Sequence, residues 1–356
     1  MELQARRVFR FALVMALATT LGFALQLTFT LLPPVLAVLL SLKPAPPMKP
    51  RALLTVTVVI LLSTGTGLLL TPLLEHYPPT AVLLGALGLY VSSYLTVNLG
   101  QQALGAFLAM GFALVSAMGL ASPELARLMV ESLAGSTALV IFCQWLIHPL
   151  FPEDPVQATP SAPLPAGAER SNWIALRSTL VVLPVWLAAL TDPATWVAAL
   201  TKALTIGQQR THGGVRQAGL ELIGSTLLGG CLAVLFWIVL GVLPNLWTLF
   251  LLTLLLGIYG GAKLHGVLAT RHPPSFWANA LMTLWILLAP AVADSASGKD
   301  VYQAFAVRFV LFVVITLYAW AALVFLESWR ARRTGRPGSL DQPRGLRPPP
   351  LRRGLP

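Results

Sequence analysis

Ionisable side chains stand inside several long apolar stretches of this chain, where a charge is costly. Arg308 lies well inside the last stretch, and Glu131 lies at a comparable depth in an earlier one. Ionisable groups at such depth usually face a partner or an aqueous path. Two interpretations stay open: the two residues line a path for charged cargo, or they form an ion pair that holds two halves of the chain together.

Other charged residues suggest an entrance for anions and a proton acceptor. Arg10 and Arg177 each open an apolar stretch, and Lys202 ends a short one. Such positive charge would concentrate anions at the mouth of a path, or else would anchor the chain to lipid phosphates. Glu221 is a candidate for proton coupling, and its alternative is a structural link to Arg216 or a neighbouring basic residue.

Two short stretches introduced by proline are candidates for a binding site. Residues 31–43 contain Pro33 and Pro34, and residues 194–206 follow Pro193. Both are too short to cross about 30 Å of hydrocarbon as straight helices. Short, proline-interrupted segments at matching positions of two repeats point to a transport site, where unpaired amides at helix N-termini would favour anions. The alternative is a pair of tilted helices with proline in the first turn.

Aromatic residues add two candidates. Tyr94 stands at helical spacing from Tyr90 and Asn98, where it could stack on aromatic cargo or hydrogen-bond it, and Trp196 lies in the second short stretch. Tyrosines near span ends also serve as interface anchors. The spacing of the histidines matches no metal-ligand motif, so we expect no metal, no cofactor and no enzyme.

The elements that position these residues are apolar helices. Apolar residues make up 56% of the 356-residue chain and charged residues 10%, which excludes a soluble domain. The runs are apolar on all sides, which favours helices over membrane strands. We predict an all-α polytopic membrane fold with about twelve helices, over residues 8–28, 31–43, 51–73, 79–97, 100–120, 125–149, 173–191, 194–206, 217–241, 244–261, 274–293 and 301–326.

The distribution of positive charge predicts the topology. With the N-terminus in the cytoplasm, 21 of the 24 Lys and Arg residues fall on the cytoplasmic side, provided that both short stretches cross or reverse the chain. Both termini are then cytoplasmic. The net charge of +11 therefore reflects short loops and the tail, and we expect a lipid bilayer rather than nucleic acid as the partner.

The second half of the chain is a loose copy of the first. Aligned on Arg51 and Arg216, Gly65 falls on Gly230 without a gap. Six stretches per half imply two parallel repeats in a pseudo-dimer, and repeats of this kind are typical of transporters. The predicted domains are the first repeat (1–151), a Pro-rich cytoplasmic linker (152–171), the second repeat (172–329) and a disordered Arg/Pro-rich cytoplasmic tail (330–356).

Three features of the chain resemble the fusaric-acid-resistance superfamily, which includes aromatic-acid exporters. They are the helices that begin with arginine, the run from Asp192 to Leu200 and the run from Gly224 to Gly230. The N-terminal half is similar to a compact membrane domain of that superfamily with no assigned function. The resemblance implies export of small organic anions, often aromatic carboxylates, from the bacterial inner membrane. It also implies a periplasmic membrane-fusion adaptor and an outer-membrane channel as partners.

One departure from that superfamily leaves a second function open. Full-length aromatic-acid exporters carry large cytoplasmic domains after each membrane half, whereas here a short linker and a short tail stand in those places. The alternative is therefore a non-transporting membrane subunit that anchors or assembles an efflux or secretion complex.

Overall fold

A computed structural model of the chain describes residues 3–42, 50–153, 168–207, 215–296 and 300–334. These residues fold into helices joined by short turns, and no strand occurs among them. The helices are α1 (Leu3–Ala24), α2 (Leu32–Ser41), α3 (Pro50–His76), α4 (Pro78–Asn98), α5 (Gln102–Met110), a π-helical turn (Gly111–Val115), α6 (Ser116–Ala121), α7 (Pro123–Ile147), α8 (Ala168–Thr191), α9 (Pro193–Gly207), α10 (Val215–Val242), α11 (Leu246–Leu264), α12 (Pro274–Ala296) and α13 (Val301–Thr334).

The described residues contain ten helices that are long and apolar enough to cross a membrane, one of which joins α5, the π turn and α6. The chain is therefore a multi-pass membrane protein, and the predicted all-helical membrane fold is confirmed. Each of the twelve predicted stretches coincides with one helix or, for 100–120, with the joined helix. The last helix runs to Thr334, so the stretch predicted as a tail begins inside it.

Glycines allow the closest helix contacts. A Cβ on Gly67 of α3 would overlap the carbonyl oxygen of Gly111, at the start of the π turn. A Cβ on Gly229 of α10 would come within 2.5 Å of the carbonyl oxygen of Ala280 on α12. Small residues permit this approach of two backbones, which is how helices commonly associate in membranes.

Ser and Thr side chains repeat one local pattern in α3 and α10. Ser63 and Thr64 both donate to the carbonyl oxygen of Ile60, and Ser225 and Thr226 both donate to that of Leu222. Bonding within the helix lets a hydroxyl lie inside an apolar core without an unsatisfied donor.

The two glycines that the alignment on Arg51 and Arg216 pairs have different surroundings. Gly65 borders open space, whereas Gly230 packs against Phe309. The hydroxyl pattern is local to each helix and does not decide the register, so the alignment of the two halves stays a prediction.

Helices from the two parts of the chain pack on each other. The long helix α1 lies along α11, and α8 lies along α4. The short helix α2 contacts α12, and the short helix α9 contacts the joined helix of α5, the π turn and α6. Both short helices therefore lie between the two parts of the chain.

Chain ends and loop residues gather at one face of the helical bundle. Arg6 at the start of α1 donates to the carbonyl oxygen of Pro152, just after α7, and Phe11 packs edge-on against His265, just after α11. Trp173 at the start of α8 stacks on Trp329 near the end of α13. We refer to the face that carries Arg6, Arg7, Arg10, Arg177 and Lys263 as the basic face.

Candidate functional site

A lysine buried in the middle of the bundle is the centre of the candidate site. The side chain of Lys202, on α9, is fully buried at 0% exposure. Its Nζ donates to Asn279 Oδ1 at 2.9 Å and to Thr283 Oγ1 at 2.5 Å, both on α12. An ammonium is among the groups least often buried in proteins, so this position is exceptional for a structural side chain.

The polar contacts continue from α12 to α10. Asn279 Nδ2 donates to Ser225 Oγ at 2.5 Å, and Thr283 Oγ1 donates to the carbonyl oxygen of Asn279 at 2.7 Å. Asn279, Thr283 and Ser225 are themselves almost completely buried. We refer to Lys202, Asn279, Thr283 and Ser225 as the lysine network.

The lysine network lies inside the membrane-spanning part of the bundle. Asn279 and Thr283 follow the start of α12, at Pro274, by five and nine residues. At 1.5 Å per residue, this places them about 10 Å from the basic face. The surroundings are apolar, and Ala199, Leu200 and Ala203 beside the lysine on α9 are all buried.

Glu221 stands next to this network along α10. It precedes Ser225 by four residues, so the two side chains share a face of the helix, with Glu221 one turn nearer the start of α10. Glu221 is partly exposed. A carboxylate thus stands one helical turn from the lysine network, and its role in proton coupling stays a prediction.

The expected open amides at the short helices are not found, because the first turns are already satisfied. In α2, Leu32 N donates to Phe29 O, Pro33 and Pro34 have no N–H, and Val35 N donates to Leu31 O. Both prolines are buried. The prediction of unpaired amides is therefore wrong for α2, since proline removes the very donors that an anion would use.

The N-terminus of α9 carries its own carboxylate. Thr195 N donates to Asp192 Oδ1 at 3.3 Å, in the position of a helix N-cap. This negative charge occupies the place where an anion would bind, so Pro193 begins an ordinary capped helix. Trp196 is partly buried against the core in the first turn of that helix.

The two recurring arginines are held by glutamates. Arg10 NH2 lies 2.5 Å from Glu153 Oε2, and Arg7 bonds the same carboxylate, whose side chain is only 7% exposed. Arg177 NH1 lies 2.6 Å from Glu327 Oε1, which also accepts from Trp173 Nε1. In each part of the chain, the arginine of the first helix is thus paired with a glutamate near the end of the last helix, six residues beyond α7 for Glu153 and seven residues before the end of α13 for Glu327.

These ion pairs change the titration of groups at the basic face. Burial alone would raise the pKa of Glu153, but the hydrogen bonds and charges of Arg7 and Arg10 outweigh it and hold that pKa below its ordinary value. Burial, together with the positive charges of Arg7 and Arg10, lowers the pKa of His265 to about 4. Burial and Arg10 also lower the pKa of His148.

The ion pair between Glu131 and Arg308, one of the two interpretations above, is not formed. Glu131 Oε1 lies 2.9 Å from Arg127 Nε on its own helix, and both side chains are more than half exposed. Arg308 NH1 lies 2.6 Å from Asp294 Oδ2, at the end of α12 away from the basic face. Each charge thus has a nearer partner: Arg127, one turn before Glu131 in the sequence, and Asp294, which the sequence did not single out.

The remaining candidate lies on the surface of the bundle. Tyr94 is 37% exposed, and its ring centroid is 6.4 Å from that of Tyr90 on the same helix.

A different aromatic residue connects the two parts of the chain. Trp186 of α8 is fully buried against Gly85 of α4, and its Nε1 donates to Ser116 Oγ at 3.1 Å, just after the π turn.

Sequence reasoning found Lys202 but missed its partners. Asn279 and Thr283 are neutral residues of an apolar stretch, and their spacing of four residues was the one available signal, since it puts both on one helix face. Glu153 and Glu327 were missed because one lies in the linker and the other near the end of the last helix. Their distance from Arg10 and Arg177 along the chain gives no hint of contact.

Comparison with known proteins gives one match. Residues 7–147 match the model of a family described as a protein of unknown function (DUF2955). This match covers the helices from α1 to α7 and ends before α8. No curated protein matches the chain, and no solved structure does.

Proposed function

We propose that this protein exports small organic anions, in particular aromatic carboxylates, across the bacterial inner membrane by a path between its two halves. The observation that carries the proposal is the complete burial of Lys202 about 10 Å from the basic face. A cation at that depth, surrounded by polar groups and apolar side chains, is what an anion with an apolar body requires of a binding site.

The arrangement of helices supports the proposed path. The packing of α1 on α11 is repeated by the packing of α8 on α4. In the same way, the packing of α2 on α12 is repeated by the packing of α9 on the joined helix. Such reciprocal packing is expected of two parallel six-helix repeats related by an axis normal to the membrane. The short helices then lie nearest the repeat interface, which is where transporters of this kind bind their cargo.

Topology and partners follow from the same proposal. The basic face would lie in the cytoplasm with both termini, since it carries most of the positive charge. Resemblance to the fusaric-acid-resistance superfamily supports a periplasmic adaptor and an outer-membrane channel as further partners. Arg7, Arg10 and Arg177, being ion-paired, would hold the first and last helices of each repeat together rather than attract cargo.

Transport by the purified protein tests the proposal. Proteoliposomes should take up radiolabelled benzoate and related aromatic carboxylates faster than protein-free liposomes, and should not take up aromatic amines of similar size. Uptake of both classes at the rate of protein-free liposomes would favour the alternative, a membrane subunit that anchors or assembles a larger complex.

A further inference from the structure

We infer that the start of α8 and the end of α13 together bind one anionic phospholipid from the leaflet that borders the basic face. The site is built around Trp173 on α8 and around Trp329, Arg330 and Arg333 on α13, which we refer to as the tryptophan cluster. Such a site does not require that the protein transports an anion, so it goes beyond the proposed function and is tested separately.

The tryptophan cluster is held together by its rings. The ring centroids of Trp173 and Trp329 are 6.4 Å apart, with an angle of 30° between the planes. The guanidinium carbon of Arg333 lies 4.2 Å from the centroid of the Trp329 ring, and that of Arg330 lies 5.2 Å from the centroid of the Trp173 ring. A guanidinium held over a ring by cation–π attraction keeps its N–H groups in its own plane, where they can donate to phosphate oxygens. The rings therefore hold the arginines in place before an anion arrives.

Two exposed arginines are in position for a phosphate group. Arg332 and Arg333 both follow Trp329 by about one turn of α13, and both are exposed. Among the described side chains, no carboxylate forms an ion pair with either of them. Glu327, the one acidic residue in the sequence of α13, already accepts from Arg177. We therefore assign the phosphate contact to Arg332 and Arg333.

The charge of this region favours an anionic headgroup. The two segments that meet here, residues 168–177 and 327–334, contain five arginines and two glutamates, which gives a formal charge of +3. Arginines and lysines beside a membrane attract its anionic lipids. A zwitterionic headgroup is attracted less, because it brings a positive charge of its own.

The tryptophan cluster lies at the depth of the lipid headgroups. The membrane-spanning part of α8 begins at Asn172, and that of α13 ends at Arg330. Trp173 and Trp329 are thus each next to the end of a span, where tryptophan is enriched at the boundary between hydrocarbon and water. Two helices that are far apart in the chain therefore bring their aromatic and basic residues to the same level of the bilayer.

Exposed apolar side chains continue from the tryptophan cluster towards the middle of the membrane. Phe325 precedes Trp329 by one turn of α13 and is 68% exposed. Leu176 and Leu180 follow Trp173 by one and two turns of α8, and both are exposed. A ligand whose phosphate lies at the cluster thus has apolar surface beneath it for acyl chains. This combination favours a phospholipid over a free phosphate ester.

Lipid binding by the purified chain tests the inference. The full-length protein, freed of lipid in detergent, is titrated with phosphatidylglycerol or with phosphatidylcholine of the same acyl chains, and native mass spectrometry measures the fraction that carries one lipid. Phosphatidylglycerol should bind on the order of tenfold more tightly, because its headgroup keeps a net negative charge. Equal affinity for the two lipids would overturn the inference.

A soluble competitor distinguishes a lipid from a free phosphate ester. Glycerophosphoglycerol has the headgroup of phosphatidylglycerol without acyl chains, so at equal concentration it should not displace the lipid. Displacement by this competitor would show a site for the phosphodiester alone and would overturn the assignment to a lipid.

Two pairs of variants locate the lipid at the tryptophan cluster. Arg333→Gln should weaken phosphatidylglycerol binding about fivefold, whereas Arg271→Gln, which removes an exposed arginine between α11 and α12, should leave it unchanged. Trp329→Leu keeps every charge but removes the ring beside Arg333, and should weaken binding about threefold. Its control is Trp247→Leu, at an exposed tryptophan near the start of α11. Equal affinities in all four variants would place the lipid elsewhere and overturn the inference, and the comparison of the two lipids on the wild-type protein stands even if a variant does not fold.

Discussion

At the scale of single residues, each charge is explained by the group that it contacts. Arg10 and Arg177 recur at matching positions because each pairs with a glutamate, at Glu153 and Glu327, and so joins the first and last helices of its part of the chain. The two acceptors described for Lys202 are instead a side-chain amide oxygen and a hydroxyl. The recurring arginines thus hold helices together, whereas a binding role for the lysine is part of the proposed function.

Replacement of Glu153 by Gln should destabilise the protein by about 1–3 kcal/mol, because two arginines would lose their shared and largely buried counter-charge. The matched control is Glu131→Gln, which removes one partner of an exposed pair and should change stability by about 0.5 kcal/mol or less. Thermal unfolding in detergent measures both. Equal shifts for the two variants would show that the Arg7–Arg10–Glu153 contacts do not hold the helices together.

The stability of the basic face should fall in acid. Because His265 has a folded pKa of about 4, below its usual value of about 6.5, it favours the folded state above pH 6.5, and this contribution is lost as the pH falls towards 4. The lowered pKa of Glu153 acts in the same direction at lower pH, because its stabilisation is lost as the carboxylate is protonated. The thermal midpoint should therefore be lower at pH 5 than at pH 7.5.

A His265→Gln variant separates the two groups. Glutamine does not titrate, so the difference in midpoint between pH 7.5 and pH 5 should shrink, while the loss due to Glu153 at lower pH should remain. An unchanged difference in this variant would mean that His265 is not the group protonated between those values.

At the scale of helices, close contact is set by a few glycines. Gly67→Ala should cost about 1–3 kcal/mol, because its Cβ would overlap the Gly111 carbonyl oxygen and force α3 away from the π turn. Gly65→Ala, two residues away, meets nothing within 4 Å and should be neutral or stabilising, since alanine favours helix. Unfolding midpoints of the two variants check this, and similar losses would contradict the packing described for α3.

The sequence was sufficient for the helices but not for their contacts. Runs of apolar residues between charged loops located every stretch, because a helix that crosses lipid must be apolar over its whole length. The partners of Lys202 and Arg10 depend on contacts between segments far apart in the chain, about which local sequence carries no information.

At the scale of the whole molecule, the two parts of the chain cover each other. Because α1 lies on α11 and α8 lies on α4, one face of the first and of the fourth helix in each part is covered by the other part. Residues 1–151 or 172–356 expressed alone should therefore aggregate in detergent, whereas the two pieces expressed together should purify as one complex. A monodisperse single piece with unchanged helix content would argue against this mutual packing.

The central claim is that an organic anion passes Lys202 between the two halves. It is tested most directly by benzoate flux in proteoliposomes that contain equal amounts of wild-type, Lys202→Met or Arg308→Ala protein. Lys202→Met should reduce flux above the protein-free leak on the order of tenfold or more, because methionine fills the space without a charge or a hydrogen bond. Arg308→Ala should stay near the wild-type rate, since Arg308 pairs with Asp294 away from the lysine network. Wild-type flux from the Lys202→Met protein would contradict the claim.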